Sequence, residues 1–421
     1  MNKGIQVCVV GAGSSYTPEL IQGLLNLSEE RLPVRSIRLQ DPDAKRLETM
    51  AGLAARMIAK AGRQIELKQG PALEPLLEGA DFVITQIRVG GMAARHLDES
   101  IPLNYGILGQ ETTGPGGLFK ALRTIPPMLA IAETVAKAAP QALILNYTNP
   151  SGIITEAVCR YTSAKLIGLC AGIPSIQVDL AAKLKDVYPD LRTYSIGLNH
   201  LGFVHKFVSG GQDVTQAALE RLYPLNGKAD AEAALVRRLG AVPIGYLNYF
   251  YHRKERLEHA LRAPETRAQA VQKLEAQILS EAAQPGTDSK PQALESRGGG
   301  GYSDITFGFM DAIYNNTNVE LTCSQPNGSS TEGIDPEAVL EITCRVGRHG
   351  ATPIPCGRIP LAFRGLVQTV KAFETLAVEA AVKKERRLVV QALMNHPLAG
   401  DLDMIEPLVD EMLKAHHLDY R

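Results

Sequence analysis

The chain has 421 residues, enough for two domains or one large one, and its 45% apolar and 21% charged content is that of a soluble globular protein. A formal net charge of −1 gives no basic excess that would mark nucleic acid or an anionic membrane as a partner. No run approaches the ~20 apolar residues of a membrane span, and the opening MNKGIQVCVVGAG lacks the apolar stretch and cleavage site of a secretory signal, which points to the cytoplasm.

Short apolar runs alternate with helical patterns through the first 190 residues. IQVCVVG (5–11), SIRLQD (36–41), QIELK (64–68), DFVITQI (81–87), ALILNYT (142–148) and KLIGLC (165–170) read as strands. Between them PELIQGLLNL, AKRLETMAGLAARMIAKAG, FKALRTIPPMLAIAETVAKAA and SIQVDLAAKLKDV carry apolar residues at helical spacing. Continuously apolar strands separated by helices predict a parallel sheet covered on both faces, a doubly wound α/β domain over 1–195. Beyond it, RTYSIGLNHLGFVHKFVSGGQDVT predicts a strand pair with a Gly-Gly turn at 210–211. Residues 229–285 read as helical, and 297–301 as a flexible glycine loop. Two further strands follow in VELTCSQPNGSSTEGIDPEAVLEITCRV, then a helical stretch from 365 to 397. This second half, 196–421, reads as an α+β domain. The six cysteines (8, 159, 170, 323, 344 and 356) lack C-x-x-C spacing and read as reduced thiols.

The loop after the first strand, VVGAGSSYTPEL, places Gly11 and Gly13 where a dinucleotide fingerprint has its first two glycines. Gly11 permits the tight turn, and Gly13 lets backbone N–H groups approach a pyrophosphate at the helix N-terminus, with Ser14, Ser15 and Tyr16 completing the loop. Tyr16 stands where the third glycine would be. Thr17 is expected to cap the helix and Pro18 to start it. Asp41, with Asp43 close behind, ends the second strand where an acid binds the adenosine ribose, which favours NAD over NADP although Lys45 and Arg46 are near.

Four further stretches narrow the reading: QIRVGGMAARHLDESIPLNYGILGQETTGPGG (86–117), LNYTNPSGIITEAV (145–158), IGLC (167–170) and IGLNHLGF (196–203). With the opening loop, and with RGGGGYSD (297–304) and the helix at 365–381, they make a chain that resembles the NAD- and metal-dependent glycosidases of glycoside hydrolase family 4, in its 6-phospho-β-glucosidase branch. The resemblance implies a Rossmann-like domain of the lactate and malate dehydrogenase kind joined to an α+β domain. It also implies a redox-assisted hydrolysis. NAD oxidises carbon 3 of the sugar, a base removes the acidified proton on carbon 2 while a metal stabilises the enediolate, and the aglycone leaves by elimination. Water then adds and the hydride returns. Such NAD-dependent glycosidases stand outside the two-carboxylate scheme.

By the same resemblance, Cys170 and His200 ligate a divalent metal, Mn2+ first, though thiolate and imidazole also suit zinc, nickel, cobalt or iron. Tyr246, in GYLNYFYH, is the implied base in preference to Tyr249 and Tyr251; its phenol needs a neighbouring metal or cation to act near neutral pH. Arg88 and Arg95, just past the fourth strand, are expected to face a sugar 6-phosphate, for which guanidinium forks are suited. Asn149 is expected to bond sugar hydroxyls, and Gln110, Glu111 and Thr112 to order the pocket floor. One departure stands out: Ala171 and Gly172 follow Cys170 where many relatives carry an Asp or Asn, which argues against the α-glycosidase branch. It keeps open an unphosphorylated hexoside or a hexuronide as substrate. A 2-hydroxy-acid dehydrogenase on the same fold and a non-catalytic dinucleotide sensor are the readings from other classes. The implied assembly is a homodimer or homotetramer.

Overall fold

The protein is described from a computed structural model that covers residues 4–225, 231–297 and 301–421. Residues 229 and 230, where the predicted helical stretch begins, and the glycines 298–300 of the predicted loop lie outside these. The first half alternates β1 (Ile5–Val10), α1 (Thr17–Leu25), β2 (Val34–Gln40), α2 (Ala44–Lys60), β3 (Glu66–Gly70), β4 (Phe82–Thr85), α3 (Gly91–Ser100), α4 (Gly114–Ala138), β5 (Leu143–Asn146), α5 (Ser151–Tyr161), β6 (Lys165–Gly168) and α6 (Gly172–Leu184). These six strands run parallel in the spatial order β3-β2-β1-β4-β5-β6. That is the doubly wound order, and its reversal between β1 and β4 is where such sheets bind ligands. The third strand lies two residues later than its apolar pattern predicted: it is an edge strand whose residues are mostly exposed, so its pattern is weak.

Alternation along the strands explains their continuous apolarity. Ile5, Val7 and Val9 of β1 pack with Ile37, Leu39, Phe82, Ile84, Leu145 and Ile167 on one face. Cys8 and Val10 pack with Val83, Ile144, Leu166, Ala132 and Val135 on the other. Successive side chains point to opposite faces, so a sheet buried on both sides has no polar positions to spare.

The second half contributes β7 (Arg192–Leu198), β8 (Leu201–Ser209), β9 (Gln212–Asp213), α7 (Thr215–Leu222), α8 (Ala231–Leu239), β10 (Val242–Pro243), α9 (Asn248–Tyr251), α10 (Arg253–Arg262), α11 (Arg267–Ala283), α12 (Ala293–Arg297) and α13 (Tyr302–Tyr314). After these come β11 (Val319–Pro326), β12 (Thr331–Glu332), β13 (Val339–Gly347), β14 (Gly350–Pro353), β15 (Gly357–Arg358), α14 (Leu361–Lys383), α15 (Arg386–Met394) and α16 (Leu402–Ala415). Strands β11, β13 and β14 extend the first sheet beyond β6 in antiparallel sense, giving nine strands in one sheet that runs across residue 195. The junction is a single register pair, Ser324 with Gly168. A second sheet is built from β7, β8, β9 and β10, and β12 pairs with β15.

The predicted Gly-Gly turn is present, with Gly210 and Gly211 both at positive φ between β8 and β9. A second turn that the pattern did not signal joins β7 to β8 through Asn199 and His200, flanked by the Leu198–Leu201 pair. His200 adopts φ 64° there, a conformation costly for a residue with a Cβ. Among the described residues, no helix is long and apolar enough to cross a membrane.

Candidate active site

The reversal between β1 and β4 opens a cavity of about 1100 Å³. At one end lies the β1–α1 loop. Gly11 sits at φ 84°, and a Cβ there would lie 3.0 Å from the backbone of Gln86; a Cβ on Gly13 would lie 2.9 Å from the Asp41 carboxyl. Close approach therefore requires both glycines, and the turn requires Gly11 as well. Helix α1 begins at Thr17 with Tyr16 in the capping position, one residue earlier than predicted. The Thr17 hydroxyl is otherwise engaged: it donates to Ala12 O at 2.7 Å and accepts from Gln86 Nε2 at 2.9 Å. Asp41 Oδ2 accepts from Gly13 N at 2.8 Å, so the carboxylate is fixed at the loop. Arg46 donates from Nε to Gly13 O at 3.0 Å, and its guanidinium also faces Glu275 at 3.7 Å.

Gly11, Gly13, Ser14, Tyr16 and Asp41 all line the cavity. Ser15 does not: it is fully buried, and its hydroxyl donates to Glu275 Oε1 at 3.1 Å. Tyr16 is held between the guanidinium of Arg297, 4.0 Å above its ring, and Tyr302, whose ring centre is 5.3 Å away.

The far end is built on charge. Glu111 takes Arg88 at 2.6 Å, Lys120 at 2.7 Å and Arg95 at 3.1 Å. Arg95 also reaches Glu99 at 2.7 Å. Burial pushes the Glu111 carboxyl up, but Lys120, Arg88 and Arg95 together outweigh it and hold the group well below the usual carboxylate range. Burial also pulls Lys120 down to about 7, against the attraction of Glu111. With five groups ionised, three cations face two carboxylates, leaving the pocket floor cationic. Asn149 lines the same cavity, its Oδ1 accepting from Ser151 N at 3.3 Å.

Tyr246 and His200 meet between these two ends, with stacked rings 4.1 Å apart at 13°. Both line the cavity. Cys170 is not among the lining residues, though it lies near enough to Tyr246 and Tyr302 to raise the pKa of both. Burial pushes the Cys170 thiol up to about 12 and Glu341 adds to the rise, while the amides of Gly172, Asn199 and Ala171 pull the other way. Burial lowers His200 to about 4, so its imidazole is neutral and offers a lone pair. A thiol backed by N–H donors and a neutral imidazole are donor types suited to a divalent transition metal. Among the described residues, no three His, Cys, Asp or Glu side chains converge as a complete ligand set. In the Ala171-Gly172 pair after Cys170, a side chain on Gly172 would come within 2.3 Å of Ile244 Cδ1. An apolar wall occupies that place.

Residue patterns did not single out Lys120, Tyr147, Tyr302, Arg297 or Glu275, all of which line the cavity. Only Lys120 left a local trace, as a lysine in an otherwise apolar stretch of α4, where it is 3% exposed.

A doubly wound sheet whose switch point joins a glycine-rich loop to a thiol–imidazole pair and a cationic floor defines a dinucleotide-type fold adapted to a small polar substrate. A family model described as family 4 glycosyl hydrolase matches residues 6–186, and one for the C-terminal domain of the same family matches 195–399. The chain belongs to the family 4 glycosyl hydrolases. It is 38% identical over 430 residues to a probable 6-phospho-β-glucosidase of Bacillus subtilis (strain 168), covering 99% of this chain and 97% of that one. It also matches the structure of the Thermotoga maritima 6-phospho-β-glucosidase solved with manganese, NAD+ and glucose-6-phosphate. The TM-score is 0.90 and the identity 30%, over 99% of each chain. A lactate dehydrogenase from Eimeria maxima shares the fold alone, with a TM-score of 0.54 and 16% identity over 91% of this chain and 95% of that one.

Proposed function

We propose that this glycosyl hydrolase cleaves 6-phospho-β-glucosides with NAD+ and a divalent cation, Mn2+ first, through oxidation at carbon 3 and elimination across carbons 2 and 1. When bound, NAD+ supplies a reversible hydride acceptor for carbon 3 and the cation supplies charge that acidifies the carbon 2 proton. The observation that carries the reading is one cavity spanning the Gly11–Gly13 turn, His200, Tyr246 and the Arg88–Arg95–Lys120 floor. Gly11, Gly13 and Ser14 receive the pyrophosphate, and Asp41 the ribose. Cys170 and His200 hold the cation. Tyr246 Oη takes the carbon 2 proton: burial, Cys170 and Glu111 all raise its pKa and Arg95 opposes them, so added positive charge beside it favours the phenolate. Asn149 orients the sugar hydroxyls, and Arg88 and Arg95 face the 6-phosphate, with Glu111 holding their guanidinium groups in place.

Incubation with p-nitrophenyl 6-phospho-β-glucoside, its α-anomer, and the unphosphorylated β-glucoside and β-glucuronide tests this. Each is run with and without NAD+, Mn2+ and reductant. The β-phosphoglucoside alone should be cleaved, with no net NADH. Cleavage of the unphosphorylated sugars at equal rates would overturn phosphate recognition, and NADH accumulating with lactate or malate would make the protein a dehydrogenase.

A further inference from the structure

The two residues read as cation ligands come from different sheets. Cys170 follows β6 by two residues in the nine-stranded sheet, whereas His200 sits in the β7–β8 turn of the smaller one. Their separation is set by whatever fastens the hairpin to the large sheet. Two polar links do this, the first from β11 and β13 and the second from β13. Towards the base of the hairpin, Ser195 N donates to Thr343 Oγ1 at 2.9 Å, and the Ser195 hydroxyl meets Thr322 Oγ1 at 2.8 Å. At the turn, Asn199 Nδ2 donates to Glu341 Oε1 at 3.1 Å.

Glu341 is the unusual member. It is 1% exposed, and among the described residues it forms no ion pair and accepts only the Asn199 amide. A buried carboxyl without a cation is costly and is poorly explained as packing. Its place in the register is informative. Glu341 lies opposite Ser324, and Ser324 lies opposite Gly168, so the line leads to the strand that runs on to Cys170. The Asn199 amide, at the head of the turn that carries His200, is tied to that same line by its bond to Glu341. An amide presents N–H on one side and a carbonyl oxygen on the other. Glu341 Oε1 accepts the N–H side of that amide and so holds the Asn199 side chain, and with it the head of the turn, against β13. Without that acceptor the turn loses its polar tie to the large sheet, and His200 is free to shift relative to Cys170.

We propose that Glu341 and Asn199 are a positioning pair that sets the Cys170 sulfur and the His200 ring at the separation a divalent cation requires. The proposal rests on the reading that Cys170 and His200 hold that cation. The pair touches neither substrate nor dinucleotide and acts through the two ligands.

The test is Mn2+ affinity of the NAD+-bound protein, read by electron paramagnetic resonance, with NAD+ affinity and the unfolding midpoint measured alongside. Glu341→Ala should weaken Mn2+ by about 10–100-fold, the range for lost outer-sphere partners, while NAD+ affinity stays unchanged. Glu341→Gln keeps an acceptor oxygen and should stay within about threefold of the parent. Should Glu341→Ala fail to fold, Asn199→Ala removes the same link from the other side and should show the same loss. Ser195→Ala cuts the other link and should lower stability with Mn2+ affinity within about threefold. A folded Glu341→Ala that binds Mn2+ like the parent would overturn the proposal. So would a Glu341→Gln as weak as Glu341→Ala, or a Ser195→Ala that loses Mn2+ equally. Cys170→Ser distinguishes the underlying reading: if it binds Mn2+ like the parent, the ligand assignment itself fails.

Discussion

At the dinucleotide end of the cavity the chain presents backbone: Gly11 and Gly13 bring peptide groups to the surface, and the Asp41 carboxylate is pinned to the loop by Gly13 N. At the sugar end it presents side chains carried by α3, α4, the loop before α4, the β7–β8 turn and the segment before α9. The first end depends on steric clearance within two neighbouring strands. The second depends on charges and hydrogen bonds brought together over more than 150 residues of sequence. Substitutions should therefore damage the two ends in different currencies, stability and charge at one and cofactor fit at the other.

The largest effect should come from Glu111, the shared partner of Arg88, Arg95 and Lys120. Glu111→Ala leaves two guanidinium groups and a desolvated Lys120 without their shared carboxylate in a largely buried site. It should cost about 3–5 kcal/mol of unfolding free energy, the range for breaking a buried ion pair from one side. Urea unfolding with and without saturating NAD+ measures it. A loss below 1 kcal/mol (roughly the worth of an exposed pair) would mean that the floor is not held by charge.

A smaller and more local effect is expected at Gly13. The alanine Cβ would lie 2.9 Å from the Asp41 carboxyl and 3.0 Å from Arg46 Cβ. Overpacking of this kind costs about 1–3 kcal/mol, or roughly five- to 150-fold if it falls on NAD+ affinity. Isothermal titration with NAD+ and, separately, with Mn2+ would show whether the loss stays at the dinucleotide end. Equal loss for both ligands would erase the distinction between the ends.

The same contrast explains what was legible in the sequence. Strands buried on both faces announce themselves as unbroken apolar runs, and Gly11, Gly13 and Asp41 lie within one β-α-β stretch, so spacing alone places them. Cys170, His200, Tyr246, Arg88, Arg95, Asn149 and Glu111 came from the resemblance, since no local spacing joins residues so far apart. Strands β11 and β13 were readable as strands. Their membership of the first sheet was not, because β11 meets β6 through one register pair distant in sequence. The Asn199–His200 turn was missed because hairpin signals depend on glycine or asparagine at positive φ, and here a histidine takes that conformation. Arg297 and Glu275 reach the dinucleotide end from helices α12 and α11, and nothing near Tyr16 in sequence points to them.

Acid acts through protonation rather than through a single side chain, and it separates the two halves. Burial lowers His200 and His205 to about 4 and His396 to about 3, and all three belong to the second half. His396 sets its Nε2 3.2 Å from Gly114 N at the start of α4, and so braces the loop that carries Glu111. In the unfolded chain each ring takes up a proton near pH 6.5, whereas the folded protein binds none until the pH falls much further. Between these values the unfolded state holds more protons, so stability is intact above about pH 6.5 and falls as the pH drops towards 4, by about 1.4 kcal/mol per unit for each group. Hydrogen exchange at pH 7 and pH 5 should then show protection lost first in β8, the β7–β8 turn and the start of α4, with β1 and β2 still protected. His205→Gln should flatten the acid limb at β8. Uniform loss across both halves would show that the ends open as one unit, and the division between a backbone-built and a side-chain-built end would not extend to how the protein unfolds.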